Sequence, residues 1–287
     1  MAETSKGIAF GGRLAMTVLV WLLFAILVLG PLLTIVVISF AKSVFADEWE
    51  FTAEWYIELF SDPALYGPLF RSLEVAVIVV AIQVVLGSLV AFSTVRDRIM
   101  GAKLLDAMSN ITIALPSVVV GLSLLAFYGG VGPVQTLTRF LFEEPFALTW
   151  TLWIVVFAHV METFPYMVRS MGTGLLKLNP QIESAARSLG ARRFTVFRTI
   201  TLPQLRPSVV AGAVLVFSRS IAEFGATIVV VSAVLRTAPI KIYAEAEAGS
   251  LELASAYSVV LMLFSFIAYV IMSRGLLEGE KRQEIQG

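Results

Sequence analysis

An all-α integral membrane protein is the fold class that the sequence predicts, from its composition and from the length of its apolar runs. Of the 287 residues, 58% are hydrophobic and only 15% are charged. Soluble domains are about 45–50% apolar and about 25% charged. We therefore expect a single transmembrane domain covering residues 1–287, with little mass outside the bilayer.

Six apolar runs are long enough to cross the bilayer, because a helix of about 20 apolar residues spans roughly 30 Å of hydrocarbon. The first run is interrupted only by Gly30-Pro31 and is too long to be a signal peptide. The third contains Pro116 and Gly121. The six predicted spans are about 14–40, 73–93, 106–128, 148–168, 207–231 and 253–273.

The positions of the basic residues predict the orientation. With the N-terminus in the cytoplasm, fifteen of the 21 Lys and Arg residues fall on the cytoplasmic side, five fall in outer loops, and Arg219 lies within a span. Because cytoplasmic loops carry an excess of Lys and Arg, both termini are predicted to be cytoplasmic. The first outer loop combines acidic residues with Trp49, Trp55 and Tyr56, which suits either a segment at headgroup level or a solvated loop.

The chain lacks the residues that most catalytic and metal sites require. It has no cysteine and one histidine, His159, which excludes disulfides, thiolate chemistry and multi-histidine metal sites. Neither a Gly-x4-Gly-Lys-[Ser/Thr] nor a Gly-x-Ser-x-Gly motif is present. The net charge is zero, so no nucleic-acid partner is expected. We therefore expect no catalytic residue, metal or bound cofactor, with an intramembrane hydrolase as the alternative.

One cytoplasmic loop, residues 169–206, is much longer than the others and is predicted to contain two short helices. Asn179 suits an N-cap, Pro180 a first helical residue, and Gly190 a C-terminal stop. A narrow apolar stripe at helical spacing lies between them, formed by Ile182, Ala185, Ala186 and Leu189. The stripe suits either docking into a groove of a soluble protein or contact with anionic headgroups.

This loop resembles the EAA loop of the permease subunits of binding-protein-dependent ABC importers. Its residues Ser184-Ala185-Ala186-x3-Gly190-x9-Ile200-x-Leu202-Pro203 follow the spacing E-A-A-x3-G-x9-I-x-L-P. The family's glutamate position holds Ser184, and we predict that Glu183, one residue earlier, replaces that glutamate. The resemblance implies that Glu183–Gly190 is a coupling helix in a cleft of a cytoplasmic ATPase, which uses the ATP and moves the spans.

Charged residues within predicted spans are candidate functional sites, because a charge inside the bilayer is costly. Arg219 and Glu223 are four apart in the fifth span and are predicted to share a helix face and neutralise each other. They form either a buried or subunit-interface ion pair, or a lining for a charged solute, with an anion meeting Arg219. Gly225 and Thr227 follow nearby and add a close-packing point and a hydroxyl.

Two further features lie in the third and fourth spans. His159 and Glu162 are three apart, share a predicted face, and are expected to have partners within the helix bundle rather than to bind a solute. Pro116, followed by Ser117, is predicted to bend the third span. Such bends occur both in helices that line transport paths and in structural helices.

Three short runs narrow the resemblance to the molybdate, tungstate and sulfate permeases. They are Arg-x3-Glu-Phe-Gly-Ala from Arg219, Pro-Ser-Val-Val-x-Gly from Pro116, and Thr-Ala-Pro-x-x-Ile-Tyr from Thr237. With the EAA loop, the likeness covers roughly residues 70–275. It implies a six-helix MetI-like permease fold, used as a dimer, in which spans three and five line the gate and path. Iron(III), thiamine, polyamine and phosphonate permeases share parts of this pattern.

We therefore expect a multi-pass permease subunit of the cytoplasmic membrane, in an importer for a small oxyanion. Its expected partners are a cytoplasmic ABC ATPase dimer, a second permease subunit (identical or homologous), an extracytoplasmic binding protein and the lipid bilayer. The alternative is a secondary transporter or channel driven by an ion gradient, which works without an ATPase. An inverted repeat would favour that alternative, and the sequence shows no convincing one.

Overall fold

The computed structural model describes residues 16–46, 48–96, 99–130, 132–142, 148–232 and 234–284. These residues are mostly helical, with one isolated antiparallel bridge between Ala41 and Phe51. The helices are α1 (Met16–Ile38), α2 (Glu54–Ser61), α3 (Pro63–Ala91), α4 (Ala102–Ala114), α5 (Ser117–Tyr128), α6 (Pro133–Phe142), α7 (Leu152–Lys177), α8 (Pro180–Ser188), α9 (Arg193–Ile221), α10 (Gly225–Val230), α11 (Ala238–Glu247) and α12 (Leu251–Glu284). The all-α prediction is confirmed for this part of the chain.

Five helical stretches among the described residues are long and apolar enough to cross a membrane. They are Met16–Ile38, Pro63–Arg96, Ser117–Leu141, Arg193–Ile221 and Leu251–Ser273. Helix α7, which contains most of the predicted fourth span, is not one of the five, and it carries His159 and Glu162. Its 26 residues are nevertheless about 39 Å long at 1.5 Å per residue, and half of them are buried. The polar side chains His159, Glu162 and Thr163 of α7 therefore face protein.

The predicted third span, 106–128, is two helices. Helix α4 ends at Ala114, Leu115 and Pro116 are extended, and α5 begins at Ser117. Proline lacks an N–H and disfavours a helical conformation in the residue before it. The chain therefore breaks at the position where the sequence predicts only a bend.

The predicted fifth span, 207–231, also differs from the structure. Helix α9 begins earlier, at Arg193, and ends at Ile221, after which the separate short helix α10 follows. Because α7 continues to Lys177, the connection from α7 to α9 is residues 178–192 rather than 169–206. The two termini, residues 1–15 and 285–287, lie outside the described residues, and their cytoplasmic location stays a prediction.

The described residues up to Leu65 form one compact unit with Ile242–Met262. In it, the hydroxyl groups of Ser39 and Tyr56 are 2.7 Å apart, and Trp55 donates its indole N–H to a backbone carbonyl at 2.8 Å. These bonds hold the segment after α1 against α2. The predicted first outer loop is therefore folded.

Residues Tyr66–Lys241, with described residues from Leu263 onward, form the second compact unit. Helices α7 and α9 pack together at its centre. Its core contains buried aliphatic and methionine side chains, among them Val75, Val79, Ile154, Val156, Met167, Met171, Leu205 and Val216. Every residue that the sequence singles out as a candidate site belongs to this unit.

Candidate functional site

The predicted coupling helix is present as α8, and both of its ends are formed as the sequence indicates. Asn179 caps the N-terminus, where its side-chain oxygen accepts the Gln181 N–H at 2.9 Å. At the C-terminus Gly190 has a φ of +90°, which glycine adopts without a steric penalty. The Ala191 N–H then bonds back to the Ala186 carbonyl at 3.1 Å, as in a Schellman motif. The prediction of this helix is confirmed.

One face of α8 carries exposed apolar side chains. Leu189 is 90% exposed and Ile182 is 46% exposed, and Ala185 between them is exposed as well. Ser184, which holds the family's glutamate position, is also exposed and donates its hydroxyl to the Pro180 carbonyl at 3.0 Å. Exposed leucine and isoleucine on a short, otherwise polar helix suit burial against another protein.

Glu183 lies on the opposite face of α8. Its side chain is only 7% exposed and accepts hydrogen bonds from Arg96, from Arg187 at 3.3 Å and from the Thr201 hydroxyl at 2.7 Å. Glu183 therefore faces the end of α3 and the start of α9 rather than the exposed apolar stripe. Sequence reasoning missed Arg96 and Thr201 as its partners, because they are 87 and 18 residues away along the chain.

The second half of the motif forms the first turns of α9. Ile200 lies in a wide, π-helical turn, Phe197–Thr201, and the exposed residues Leu202 and Pro203 follow it. The hydrogen bond from Thr201 to Glu183 brings this turn against α8. The two halves of the motif are therefore adjacent in space.

Arg219 is the cation of a polar cluster between α5, α7 and α9. Its Nη2 donates to Glu162 Oε2 at 3.1 Å and to Ser117 Oγ at 3.4 Å. The side chain of Arg219 is 31% exposed and that of Glu162 is 6% exposed. The prediction that Arg219 and Glu223 neutralise each other along one helix is wrong, because α9 ends at Ile221.

Glu223 instead organises the start of α10. It is fully buried, and its carboxylate accepts the Ala226 N–H at 2.9 Å and the Thr227 hydroxyl at 3.2 Å. The first turn of a helix leaves backbone N–H groups without an intrahelical partner, and acidic side chains satisfy them well. Glu223 therefore marks the break between α9 and α10.

His159 links α7 to the same two helices. Its ring is buried, with Nδ1 2.8 Å from Ser220 Oγ and Nε2 2.9 Å from Thr227 Oγ1. Glu162, one turn along α7, has its partner Arg219 on α9. The expectation that His159 and Glu162 have partners within the bundle is confirmed.

The two helix breaks meet at one point. A Cβ added to Gly225, at the start of α10, would lie 2.7 Å from the Cβ of Ser117, at the start of α5. A Cβ added to Gly121 would lie 2.5 Å from the Ala226 carbonyl oxygen. Small residues allow such close backbone approach between membrane helices. The structure thus brings together the predicted path or gate residues Pro116, Ser117, Arg219, Glu223, Gly225 and Thr227.

A cavity of about 1040 Å³ opens between α4, α7 and the turn that follows α3. Its charged lining residues are Lys103, Arg169 and Asp106. The Nε of Arg169 donates to Asn110 Oδ1 at 2.7 Å. With two cations and one carboxylate, the lining residues that the structure describes have a net positive formal charge.

Comparison with known proteins identifies the family. Residues 83–276 match the family described as "Binding-protein-dependent transport system inner membrane component". The chain is 38% identical over 188 residues to the molybdenum transport system permease protein ModB of Escherichia coli (strain K12), covering 64% of this chain and 81% of that protein. It is 32% identical over 207 residues to the sulfate transport system permease protein CysT of Salmonella typhimurium, covering 72% and 71%. It is 27% identical over 241 residues to the spermidine/putrescine transport system permease protein PotC of Escherichia coli (strain K12), covering 84% and 86%.

The fold is also that of a solved structure. The chain resembles one from a bacterial ABC transporter involved in the import of the acidic polysaccharide alginate, with a TM-score of 0.77 and 15% identity. The match covers 97% of this chain and 99% of that chain, and at this identity it shows the fold alone. The chain therefore belongs to the binding-protein-dependent transport system inner membrane components: it is a multi-pass inner-membrane permease subunit of an ABC importer, and the ATPase activity lies in a separate subunit.

Proposed function

We propose that this permease subunit carries a small tetrahedral oxyanion, of the molybdate, tungstate and sulfate class, across the membrane. A binding protein on the outer side delivers the anion, and a dimer of ATPase subunits supplies the energy. Two permease subunits, identical or homologous, enclose the path. The names of the relatives ModB and CysT, which refer to molybdenum and sulfate transport, support this class of solute.

The Arg219 cluster, formed by Arg219, Glu162, Glu223 and Ser117, exposes its cation but neither of its carboxylates. This difference in accessibility is the observation that carries the proposal. The side chain of Arg219 is 31% exposed, whereas Glu162 is 6% exposed and Glu223 is fully buried. Both carboxylates already accept hydrogen bonds from the protein. A solute that reaches the cluster therefore meets a guanidinium group, whose N–H donors match the oxygens of an oxyanion.

The positively charged cavity supports the same solute class. Lys103 and Arg169 line it, and under the predicted orientation it opens toward the cytoplasm. An anion that passes the Arg219 cluster enters a space of favourable potential before it is released.

Helix α8 is the part of the permease that receives the movement of the ATPase. The exposed stripe of Ile182, Ala185 and Leu189 docks into a cleft of the ATPase. The remaining residues of the docking motif are Ser184, Ala186, Gly190, Ile200, Leu202 and Pro203.

We also propose six membrane spans, formed by α7 together with the five helical stretches of the structure that are long and apolar enough to cross a membrane. Both termini and α8 then lie in the cytoplasm. We further propose that the six spans belong to one domain; within the second compact unit, α7 and α9 share a core with α3 and α5.

The test is ATP-dependent uptake of radiolabelled molybdate and sulfate by proteoliposomes that contain the complete importer. Arg219→Gln removes the accessible cation, and we expect uptake to fall at least about tenfold, the equivalent of about 1.4 kcal/mol. The control Arg206→Gln removes an exposed arginine of the same helix, and a surface change of this kind should alter uptake by about twofold or less. Wild-type uptake by the Arg219→Gln importer would overturn the role of this cluster.

A polyamine is the second candidate solute, because PotC aligns with 84% of this chain. A polycation requires an accessible carboxylate, and the Arg219 cluster presents none. Calorimetry on the partner binding protein with molybdate, tungstate, sulfate, a phosphonate and spermidine decides between the classes. Binding of spermidine alone would overturn the oxyanion proposal.

A further inference from the structure

We propose that Glu183 is a positioning residue that fastens the coupling helix α8 to α3 and α9, so that a displacement of α8 moves both helices together. This inference rests on the proposed function, in which α8 receives the ATPase. It assigns Glu183 a role in transmitting force within the permease rather than in contacting the ATPase.

The carboxylate of Glu183 joins three elements. One oxygen, Oε1, accepts the Thr201 hydroxyl at 2.7 Å, and the other, Oε2, accepts from Arg96 and from Arg187. Arg187 belongs to α8 itself, whereas Arg96 follows α3 and Thr201 belongs to α9. Both oxygens therefore have partners outside the helix that carries Glu183.

The two distant partners occupy equivalent places in their helices. Arg96 is the last residue of a π-helical turn, Phe92–Arg96, and Thr201 is the last residue of the π-helical turn Phe197–Thr201. The rings of Phe92 and Phe197 meet edge to face, with centroids 5.9 Å apart. Wide helical turns are rare and often occur at functional sites. Glu183 thus binds a junction where α3 and α9 already touch.

Apart from the hydrogen bonds of Glu183, few contacts hold α8 in place. It has nine residues, too few to form a stable helix without tertiary contacts. Glu183 is its one buried residue, while Ile182 and Leu189 are exposed. A load applied to the exposed face therefore reaches α3 and α9 through the Glu183 carboxylate, through the packing of α8 against the first turns of α9, or through the backbone on either side of α8.

The test uses the complete importer, with its ATPase and binding protein, in proteoliposomes. Three quantities are measured for Glu183→Gln and Glu183→Ala: retention of the ATPase on the purified permease, ATP hydrolysis, and solute taken up per ATP hydrolysed. We expect the ATPase to be retained and hydrolysis to continue, with uptake per ATP reduced at least about tenfold in Glu183→Ala. The matched control is Gln181→Ala, an exposed side chain of the same helix, which should behave as the wild type.

The partner residues give an independent check. Arg96→Gln should lower uptake per ATP in the same way, and combining it with Glu183→Gln should add little, because both remove one interaction. The charge exchange Glu183→Arg with Arg96→Glu should recover part of the lost coupling, which also shows that the single variants are folded. Unchanged uptake per ATP in Glu183→Ala, or loss of the ATPase from that variant, would overturn the inference.

A separate variant distinguishes failure of this inference from failure of the docking proposal. Leu189→Glu places a charge on the exposed face and leaves the Glu183 bonds intact, so it should release the ATPase. If Leu189→Glu retains both the ATPase and uptake, the docking proposal fails. If it releases the ATPase while Glu183→Ala transports normally, only the positioning role of Glu183 fails.

Discussion

Ser117 and Gly225 lie so close that a methyl group added to Gly225 would be 2.7 Å from the Ser117 Cβ. Each residue is the first of a short helix that follows a break in the helical chain. The break before Ser117 is Leu115-Pro116, and the break before Gly225 is residues 222–224. The contact holds the two breaks together beside Arg219, whose guanidinium reaches the Ser117 hydroxyl. The candidate gate is therefore built from helix ends packed against each other.

We predict that Gly225→Ala destabilises this contact, because overpacking a close contact costs about 1–3 kcal/mol. The melting temperature of the purified permease in detergent should fall, and uptake should fall with it. Ser117→Gly in the same chain removes the opposing Cβ and should restore the melting temperature. Gly67→Ala is the control, since a Cβ there meets nothing within 4 Å. An unchanged melting temperature in Gly225→Ala would contradict the packing described.

We predict that Glu162→Gln frees Arg219 to bind anions more strongly. Removing one partner of a buried ion pair costs about 3–5 kcal/mol, and the partial exposure of Arg219 places this pair at the low end. The variant should melt at a lower temperature than the wild type, and millimolar molybdate should raise its melting temperature more. The double variant Glu162→Gln with Arg219→Gln should lose that response. Equal molybdate effects in the single and double variants would contradict an anion site at Arg219.

We predict that Gly190→Ala weakens coupling through backbone strain alone. A Cβ at this residue meets nothing within 4 Å, but its φ of +90° is left-handed, which costs an alanine about 1–2 kcal/mol. Uptake should fall while membrane insertion stays normal, and Gly190→Trp should abolish uptake. Gly190→Asn is the matched control, because asparagine tolerates left-handed conformations better. Equal uptake by the Gly190→Ala and Gly190→Asn variants would show that backbone strain at the end of α8 does not cause the loss of uptake.

We predict that Leu189→Ala weakens binding of the ATPase at least about tenfold, since burying a leucine contributes about 1.5–3 kcal/mol. The dissociation constant of the ATPase from the purified permease measures this directly. Val234→Ala is the control, because Val234 is 84% exposed, close to the 90% of Leu189, but lies in a predicted outer segment. Equal dissociation constants for the Leu189→Ala and Val234→Ala variants would contradict the docking proposal.

Features set by neighbouring residues could be predicted from the sequence. The ends of α8 depend on Asn179, Pro180 and Gly190, whose preferences act within a few residues, and the structure has the helix at Pro180–Ser188. The cluster of Pro116, Ser117 and Gly225 was named from short motifs and is brought together in the fold. Apolar runs likewise indicated where most of the long helices lie.

Features set by distant contacts could not be predicted in this way. Apolar residues continue beyond Glu223, so the sequence alone does not reveal the end of α9 at Ile221, and the spacing of four residues suggests Arg219 as the partner of Glu223. The actual partner of Arg219 is Glu162, 57 residues earlier on α7. The bond between Glu183 and Arg96 could not be predicted, because the two residues are 87 positions apart along the chain. Glu223, an acidic residue two positions before Gly225, is the one local feature that indicates the start of a helix there.

The most direct test of the central claim compares two sets of proteoliposomes. One set contains this chain alone with an imposed ion gradient, and the other contains the complete importer with ATP inside and loaded binding protein outside. The account predicts no uptake by the chain alone and ATP-dependent uptake of molybdate or sulfate by the complete importer. Uptake by the chain alone, driven by the gradient, would contradict it.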